Sequence, residues 1–228
     1  GESAKSFIEL GYEASQVELL EMSVIRSIGL IIITGPTGSG KSTTLKTMME
    51  FDPKRRLKKR YSVEDPVEYK IYGVSQVSVQ REEHANEDDY KDFKGTLLDI
   101  LRSDPNEIIV GETRDKAVAD IVADAVLTGH KMYTTAHTAS GMTTPKRLER
   151  LGIDRAIQSD RQFYAALMFQ RLLPVLCPEC KVPASKVLSA KKQSVLENKF
   201  GLNIETIYCS HEDECPHCNG LEIVDSTV

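Results

Sequence analysis

The stretch GPTGSGKS, from Gly35 to Ser42, constrains this chain more than any other feature. It is a complete G-x-x-x-x-G-K-S phosphate loop. The apolar run Gly29–Thr34 before it reads as a buried strand, and the segment Ser42–Glu50 after it reads as a helix. Strand, loop and helix in that order separate a true phosphate loop from a chance match. Glycines let successive backbone N–H groups converge on phosphate oxygens, and the helix N-terminus adds positive potential. The predicted nucleotide-binding residues are therefore Gly35, Pro36, Thr37, Gly38, Ser39, Gly40, Lys41, Ser42 and Thr43. Lys41 would reach the β- and γ-phosphates and Ser42 would ligate Mg²⁺, which predicts binding of a nucleoside triphosphate such as ATP.

At 228 residues the chain has room for one large α/β domain and a small appendage. Trp is absent and aromatics make up 6%, so the core must be mostly aliphatic. No apolar run approaches the roughly 18 residues of a membrane span, and no signal peptide is visible at the N-terminus. The chain opens on Gly1 rather than Met, which suggests a piece of a longer protein. A net charge of −5 and a pI near 5.6 argue against a constitutive nucleic-acid binder, so no nucleic-acid partner is expected. Charge is uneven nonetheless. Lys54–Arg60 is strongly basic and Glu82–Asp92 acidic; such runs are usually solvated loops, although the basic one could touch a neighbouring subunit or acidic lipid.

Residues 1–28 read as a lead-in ending in an amphipathic helix, with Val17, Leu19, Leu20, Met22, Ile25 and Ile28 near helical spacing. From residue 29 to about 173 strand and helix signals alternate, which predicts a parallel sheet covered on both faces. The strands expected after the loop are 61–64, 74–79, 107–111 and 131–135. The expected helices are 90–102, 116–127, 143–151 and 161–173. Residues 174–228 read as a separate metal-organised subdomain, in which cysteine pairs flank one helical stretch, 184–199.

Three further elements bear on chemistry. Glu107–Glu112 (EIIVGE) is an apolar strand ending in a carboxylate, which at the C-terminal edge of an open α/β sheet faces the ligand crevice and can orient a Mg²⁺-bound water. SVEDPVEY, from Ser62 to Tyr69, puts Glu64, Asp65 and Glu68 just after another short strand. Pro66 stops that strand and could project Glu64 into the crevice, where it would orient an attacking water. The bland alternative is an acidic turn. His130 and His137 bracket the strand Lys131–Ala136, and a histidine at a strand end near a phosphate site can donate to the γ-phosphate.

Four motifs, GPTGSGKSTT, VEDPVEY, LRSDPNEIIVGETRD and TGHKMYTTAHT, occur in one order. Together they resemble the Walker A, Asp box, atypical Walker B and His box of the type II secretion and type IV pilus assembly ATPases (GspE/PilB type). The likeness runs from about residue 10 to 218. It implies a RecA-like P-loop core. It also implies catalytic roles for Glu64, for Glu112 as the Walker B acid, and for His130 and His137 as the His-box pair. The missing Walker B aspartate, Gly111 here, is normal in that family. The resemblance further implies an ATP-hydrolysing motor, a homo-hexamer that drives pilus or pseudopilus assembly through an inner-membrane platform protein. Such a motor is cytoplasmic and peripheral to the bacterial inner membrane.

All five cysteines lie in the last quarter of the chain, which favours metal-bound thiolates in a reducing compartment over disulfides. Cys177, Cys180, Cys215 and Cys218 form C-x₂-C-x₃₄-C-x₂-C, two knuckles suited to a closed, structural Zn²⁺ site. The spacing resembles the tetracysteine segment of the assembly ATPases, which the retraction branch lacks. Cys209 stands outside it, and His211 and His217 are the less favoured ligands. Two departures from the family stand out: there is no room for the N-terminal domain that supplies arginines to the nucleotide site, and the stretch after Cys218 ends at Val228 without the usual glycine- and arginine-containing continuation. The alternative functions are a related ring ATPase for conjugation or DNA translocation, a small-molecule kinase, and a binding module without turnover. DNA-stimulated hydrolysis would mark the first; an acceptor pocket and lid, for which no segment is evident, the second.

Overall fold

A computed structural model describes residues 4–79, 87–210, 215–219 and 223–227. The chain divides into two units, one running to Arg171 and the other Leu172–Thr227. In the first unit, helix α1 (Ala14–Ile25) leads into β1 (Gly29–Thr34) and α2 (Lys41–Phe51). There follow β2 (Arg60–Glu64), β3 (Ser75–Ser78), α3 (Glu87–Arg102), β4 (Glu107–Glu112), α4 (Lys116–Leu127), β5 (Lys131–Ala136), α5 (Thr144–Arg150), α6 (Arg155–Gln158) and β6 (Tyr164–Phe169). The second unit holds β7 (Leu173–Leu176), β8 (Val182–Pro183), α7 (Ala184–Val187), α8 (Ala190–Phe200), β9 (Tyr208–Cys209) and β10 (Ile223–Thr227).

The six strands β1–β6 form one parallel sheet in the order β3-β2-β4-β5-β1-β6. Every residue of β1 and β5 is buried, as a parallel strand covered on both faces requires. Side chains alternate between two cores. Leu30 and Ile32 join Val110, Phe93, Leu97 and Val122 on the face covered by α3 and α4. Ile31 and Ile33 join Met48, Met49, Tyr12 and Val24 on the face covered by α1 and α2.

Three elements depart from expectation. Residues 161–173 are not a helix: Tyr164–Phe169 is β6, the edge strand beside β1. YAALMF is a short apolar run of helix-favouring residues, and pairing with the open edge of β1 decides its form rather than propensity. The stretch 184–199 is two helices, because Ser189 adopts an extended conformation (φ −60°, ψ 150°) between α7 and α8. The apolar stripe of α1 is only partly used: Leu20 and Val24 are buried, whereas Leu19, Met22 and Ile25 are exposed. The first part of the acidic run 82–92 lies outside the described residues.

The basic run also turns inward at its end. At the N-terminal edge of the sheet, Glu107 accepts from Lys58 Nζ at 2.6 Å and from Arg60 Nε at 3.0 Å. Lys58 reaches Asp52 at 2.6 Å, and Arg60 Nη2 donates to the Met49 carbonyl at 2.6 Å. Burial pushes the Asp52 carboxyl up, but the bonds from Lys58 and the Lys54 amide outweigh it and hold the group below its ordinary range. Beside this cluster the fully buried Lys131 donates to the carbonyls of Ser23, Val24 and Arg26, closing the C-terminus of α1. Burial drives its ammonium down to about 8.

Candidate nucleotide and metal sites

The phosphate loop leaves β1 at the C-terminal edge of the sheet. Gly35, Gly38 and Gly40 all have positive φ (153°, 73° and 80°). At Gly35 a Cβ would meet the Gln170 carbonyl oxygen at 2.2 Å, so only glycine fits. Helix α2 begins at Lys41 with Gly40 as N-cap and no side-chain cap, which leaves its first amides directed at the loop. Lys41 is buried, and its Nζ donates to the carbonyls of Gly35 at 3.1 Å and Pro36 at 2.9 Å. Burial lowers its pKa, and the charges of Glu112 and Glu68 oppose that shift. Both carboxylates thus act on the lysine that would meet the terminal phosphate.

The expected site residues are not all brought together. Glu112 ends β4 beside β5, and its Oε2 lies 3.7 Å from His137 Nε2 and accepts from Arg114 Nε at 2.7 Å. Arg114 also approaches Asp65 at 4.0 Å. Glu64 ends β2 and is held by Ser62 Oγ at 2.5 Å and Gln76 Nε2 at 3.0 Å. His130, by contrast, stands at the opposite end of β5 from His137. Six residues of parallel strand separate them, about 20 Å, and the His130 ring is hydrogen-bonded to the Ala125 carbonyl (3.1 Å) at the end of α4. Within one chain His130 is not part of the phosphate-loop site.

Sequence reasoning gave no role of its own to Arg114, to Glu68, which it named only among three carboxylates after a strand, or to Gln170. The first two sit inside quoted motifs, GETRD and VEDPVEY, where their charge beside a carboxylate or a strand end was the available signal. Gln170 carried none, since it lies inside the stretch 161–173, whose composition favours a helix. Ser42 and Thr43 open α2 as expected. A carboxylate at a strand end, a hydroxyl at the start of α2 and a lysine within the loop are the donor set that Mg²⁺ and a triphosphate require.

In the second unit, the Sγ atoms of Cys177, Cys180, Cys215 and Cys218 all lie within 4.8 Å of one another. Cys177 and Cys215 are 4.0 Å apart and Cys180 and Cys218 3.7 Å. A tetrahedron with Zn–S bonds of about 2.3 Å has edges of about 3.8 Å, so the four thiols fit zinc. His217 Nδ1 lies 3.4 Å from Cys177 Sγ, beside the cluster. Cys209 is paired in β9 with Val182 of β8 and is outside it; His211 lies outside the described residues. No helix among the described residues is long and apolar enough to cross a membrane.

Comparison with known proteins agrees with these motifs. The profile of the family described as Type II/IV secretion system protein matches residues 2–224. The chain is 35% identical over 211 residues to the type II secretion system ATPase E of Vibrio cholerae, covering 92% of this chain and 39% of that protein. It is 35% identical over 198 residues to the competence protein ComGA of Bacillus subtilis, covering 85% and 53%. Among solved structures, the pilus retraction motor PilT with bound ADP superposes with a TM-score of 0.54 at 28% identity, over 88% of this chain and 58% of that one. The Legionella pneumophila ATPase DotB gives 0.52 at 28% identity, over 75% and 47%. The chain thus spans about two-fifths to three-fifths of the length of these relatives. The fold is that of the P-loop ATPases, and the chain belongs to the type II/IV secretion system protein family, as a GspE-type member.

Proposed function

We propose that the chain is the nucleotide-hydrolysing part of a motor for type IV pilus or type II secretion pseudopilus assembly. The observation that carries this reading is the buried Lys41, held in the phosphate loop and acted on by Glu112 at the end of β4 and by Glu68 in the turn after β2. The loop amides and Lys41 would hold the β- and γ-phosphates, and Ser42 the metal. Bound Mg²⁺ supplies Lewis-acid screening of the charge on the phosphate oxygens. A carboxylate of the acidic turn takes up a proton from water as the water oxygen bonds to the γ-phosphorus and the bond to the β–γ bridging oxygen breaks. Glu64 is the expected carboxylate. Its ties to Ser62 and Gln76, and the field of Glu68 on Lys41, favour Glu68 for the water and Glu64 as its anchor. Glu112, with His137 and Arg114 beside it, would order the metal's water shell.

We assign the four thiolates a structural Zn²⁺, and the four-cysteine cluster supports the assembly rather than the retraction branch. The motor acts as a homo-hexamer on an inner-membrane platform protein, from the cytoplasmic side. The conjugation and DNA-translocation alternative is disfavoured by the acidic pI and the four-cysteine cluster. The test is ATP hydrolysis and nucleotide binding by the full-length protein and its Lys41→Ala, Glu64→Gln and Glu68→Gln variants. Lys41→Ala should lose binding or turnover; Glu68→Gln should bind normally and hydrolyse about 100-fold slower. Parent-rate hydrolysis by Lys41→Ala would overturn the site assignment, and a larger loss in Glu64→Gln than in Glu68→Gln would return the water to Glu64.

A further inference from the structure

Gln76 is a half-buried residue of β3, the strand at the edge of the sheet, with no partner on its far side among the described residues. Its amide is fully engaged. Nε2 donates to Glu64 Oε1 at 3.0 Å and to the Tyr69 carbonyl at 2.9 Å, while Oε1 accepts from the Ile71 amide at 2.8 Å. The backbone partners fix which way the amide faces, since the Ile71 N–H can only donate and the Tyr69 carbonyl can only accept. Two residues further along the strand, on the same face, Ser78 Oγ accepts from the Val67 amide at 3.3 Å. Gln76 and Ser78 therefore grip the backbone immediately before and after Glu68. Gln76 ties that grip to Glu64, which Ser62 holds from β2.

An edge strand of four residues, three of them exposed, contributes little to the core. Its polar side chains have another use here. The turn from Asp65 to Val74 has no regular structure of its own, and a carboxylate that must meet a water within tenths of an ångström needs an external frame.

We infer that Gln76 is a positioning residue that sets the acidic turn, and Glu68 in particular, against the phosphate loop. It acts through a three-way clamp on Glu64, Tyr69 and Ile71. The inference rests on the reading of this turn as the source of the water-orienting carboxylate.

The experiment uses steady-state ATP hydrolysis and ADP binding by the full-length protein. Gln76→Leu keeps the bulk and removes the amide; kcat should fall about 10- to 100-fold while the ADP dissociation constant stays within about two-fold, which also reports a folded site. Gln76→Glu opposes Glu64 with a second carboxylate at neutral pH, whereas its protonated form can again donate; its kcat relative to the parent should rise as pH falls. Adding Gln76→Leu to whichever of Glu64→Gln or Glu68→Gln slows turnover should cost little more, because the clamp acts through that carboxylate. Parent-like kcat in Gln76→Leu, a full multiplicative loss in the double variant, or a flat relative pH profile for Gln76→Glu would each overturn the inference alone. If neither carboxylate variant slows hydrolysis, the reading of the acidic turn fails, and the inference with it.

Discussion

The side-chain amide of Gln170 donates to the Ser39 carbonyl at 2.6 Å, tying the middle of the phosphate loop to the end of the edge strand β6. The same residue donates its backbone N–H to the Thr34 carbonyl at 2.8 Å and accepts from Tyr12 Oη at 3.0 Å. Tyr12 Oη in turn lies 3.0 Å from Thr44 Oγ1 on α2. Lead-in, sheet edge and loop are thus joined through one buried side chain. Gln170→Leu strands the Ser39 carbonyl and leaves the Tyr12 hydroxyl with Thr44 alone, and should lower stability by about 1–3 kcal/mol. Nucleotide affinity should fall with it, about 10-fold, because the loop loses its brace. Denaturant unfolding and a fluorescent-nucleotide titration read the two effects; affinity equal to the parent's would remove Gln170 from the site.

Glu112→Gln should slow hydrolysis and move its Mg²⁺ dependence to higher concentration, since the neutral amide holds metal-bound water less firmly. Arg114→Ala removes the 2.7 Å donor to Glu112 without touching the loop, so it should change turnover less than Glu112→Gln does. A Mg²⁺ titration of rate in both variants decides. Identical Mg²⁺ dependence in Glu112→Gln and the parent would make Glu112 a structural partner of Arg114.

The thiol tetrahedron predicts about one Zn²⁺ per chain by elemental analysis, and none after Cys177→Ser with Cys215→Ser. The second unit has few buried apolar side chains among its described residues, chiefly Ala184 and Ile204 besides the cysteines. Its folding should therefore follow the metal. Chelation should open residues beyond 174 to proteolysis and leave the first unit protected. Cys209→Ser should leave metal content unchanged. Metal-free reduced protein with the same proteolytic pattern would refute this.

Lys131 sets a pH dependence whose sign follows from its buried ammonium. Its pKa falls from 10.5 to about 8 on folding, so between those values the unfolded chain binds more protons than the folded one. Stability contributed at this position is lowest below about pH 8 and rises as pH climbs toward 10.5. The parent should gain on the Lys131→Met variant by up to about 3 kcal/mol across that window. Urea unfolding of both at several pH values gives the difference; a gap that is constant or shrinks with rising pH contradicts the account.

The parallel sheet and the phosphate loop were legible because Leu30–Ile33 is an unbroken apolar run, as suits a strand buried on both faces, and because Gly35, Gly38 and Gly40 sit where the backbone needs positive φ. The four thiols were legible because two short C-x₂-C spacings announce a common centre. What stayed hidden depends on long-range partners. Tyr164–Phe169 becomes a strand only because β1 offers an open edge. Lys58 and Arg60 look like surface charge until Glu107, far along the chain, turns them inward. His130 and His137 are close in sequence, but the strand between them carries their rings to opposite edges of the sheet.

That same strand gives the sheet a polarity. The phosphate loop, Glu64 and Glu112 lie where β1, β2 and β4 end, whereas Glu107, Arg60 and Lys131 stand where their strands begin, with Lys58 just before β2. About 20 Å of hydrogen-bonded backbone lies between, beyond the range over which substitutions ordinarily couple. Substitutions at the charged end should therefore alter stability while leaving the phosphate loop's geometry as it is.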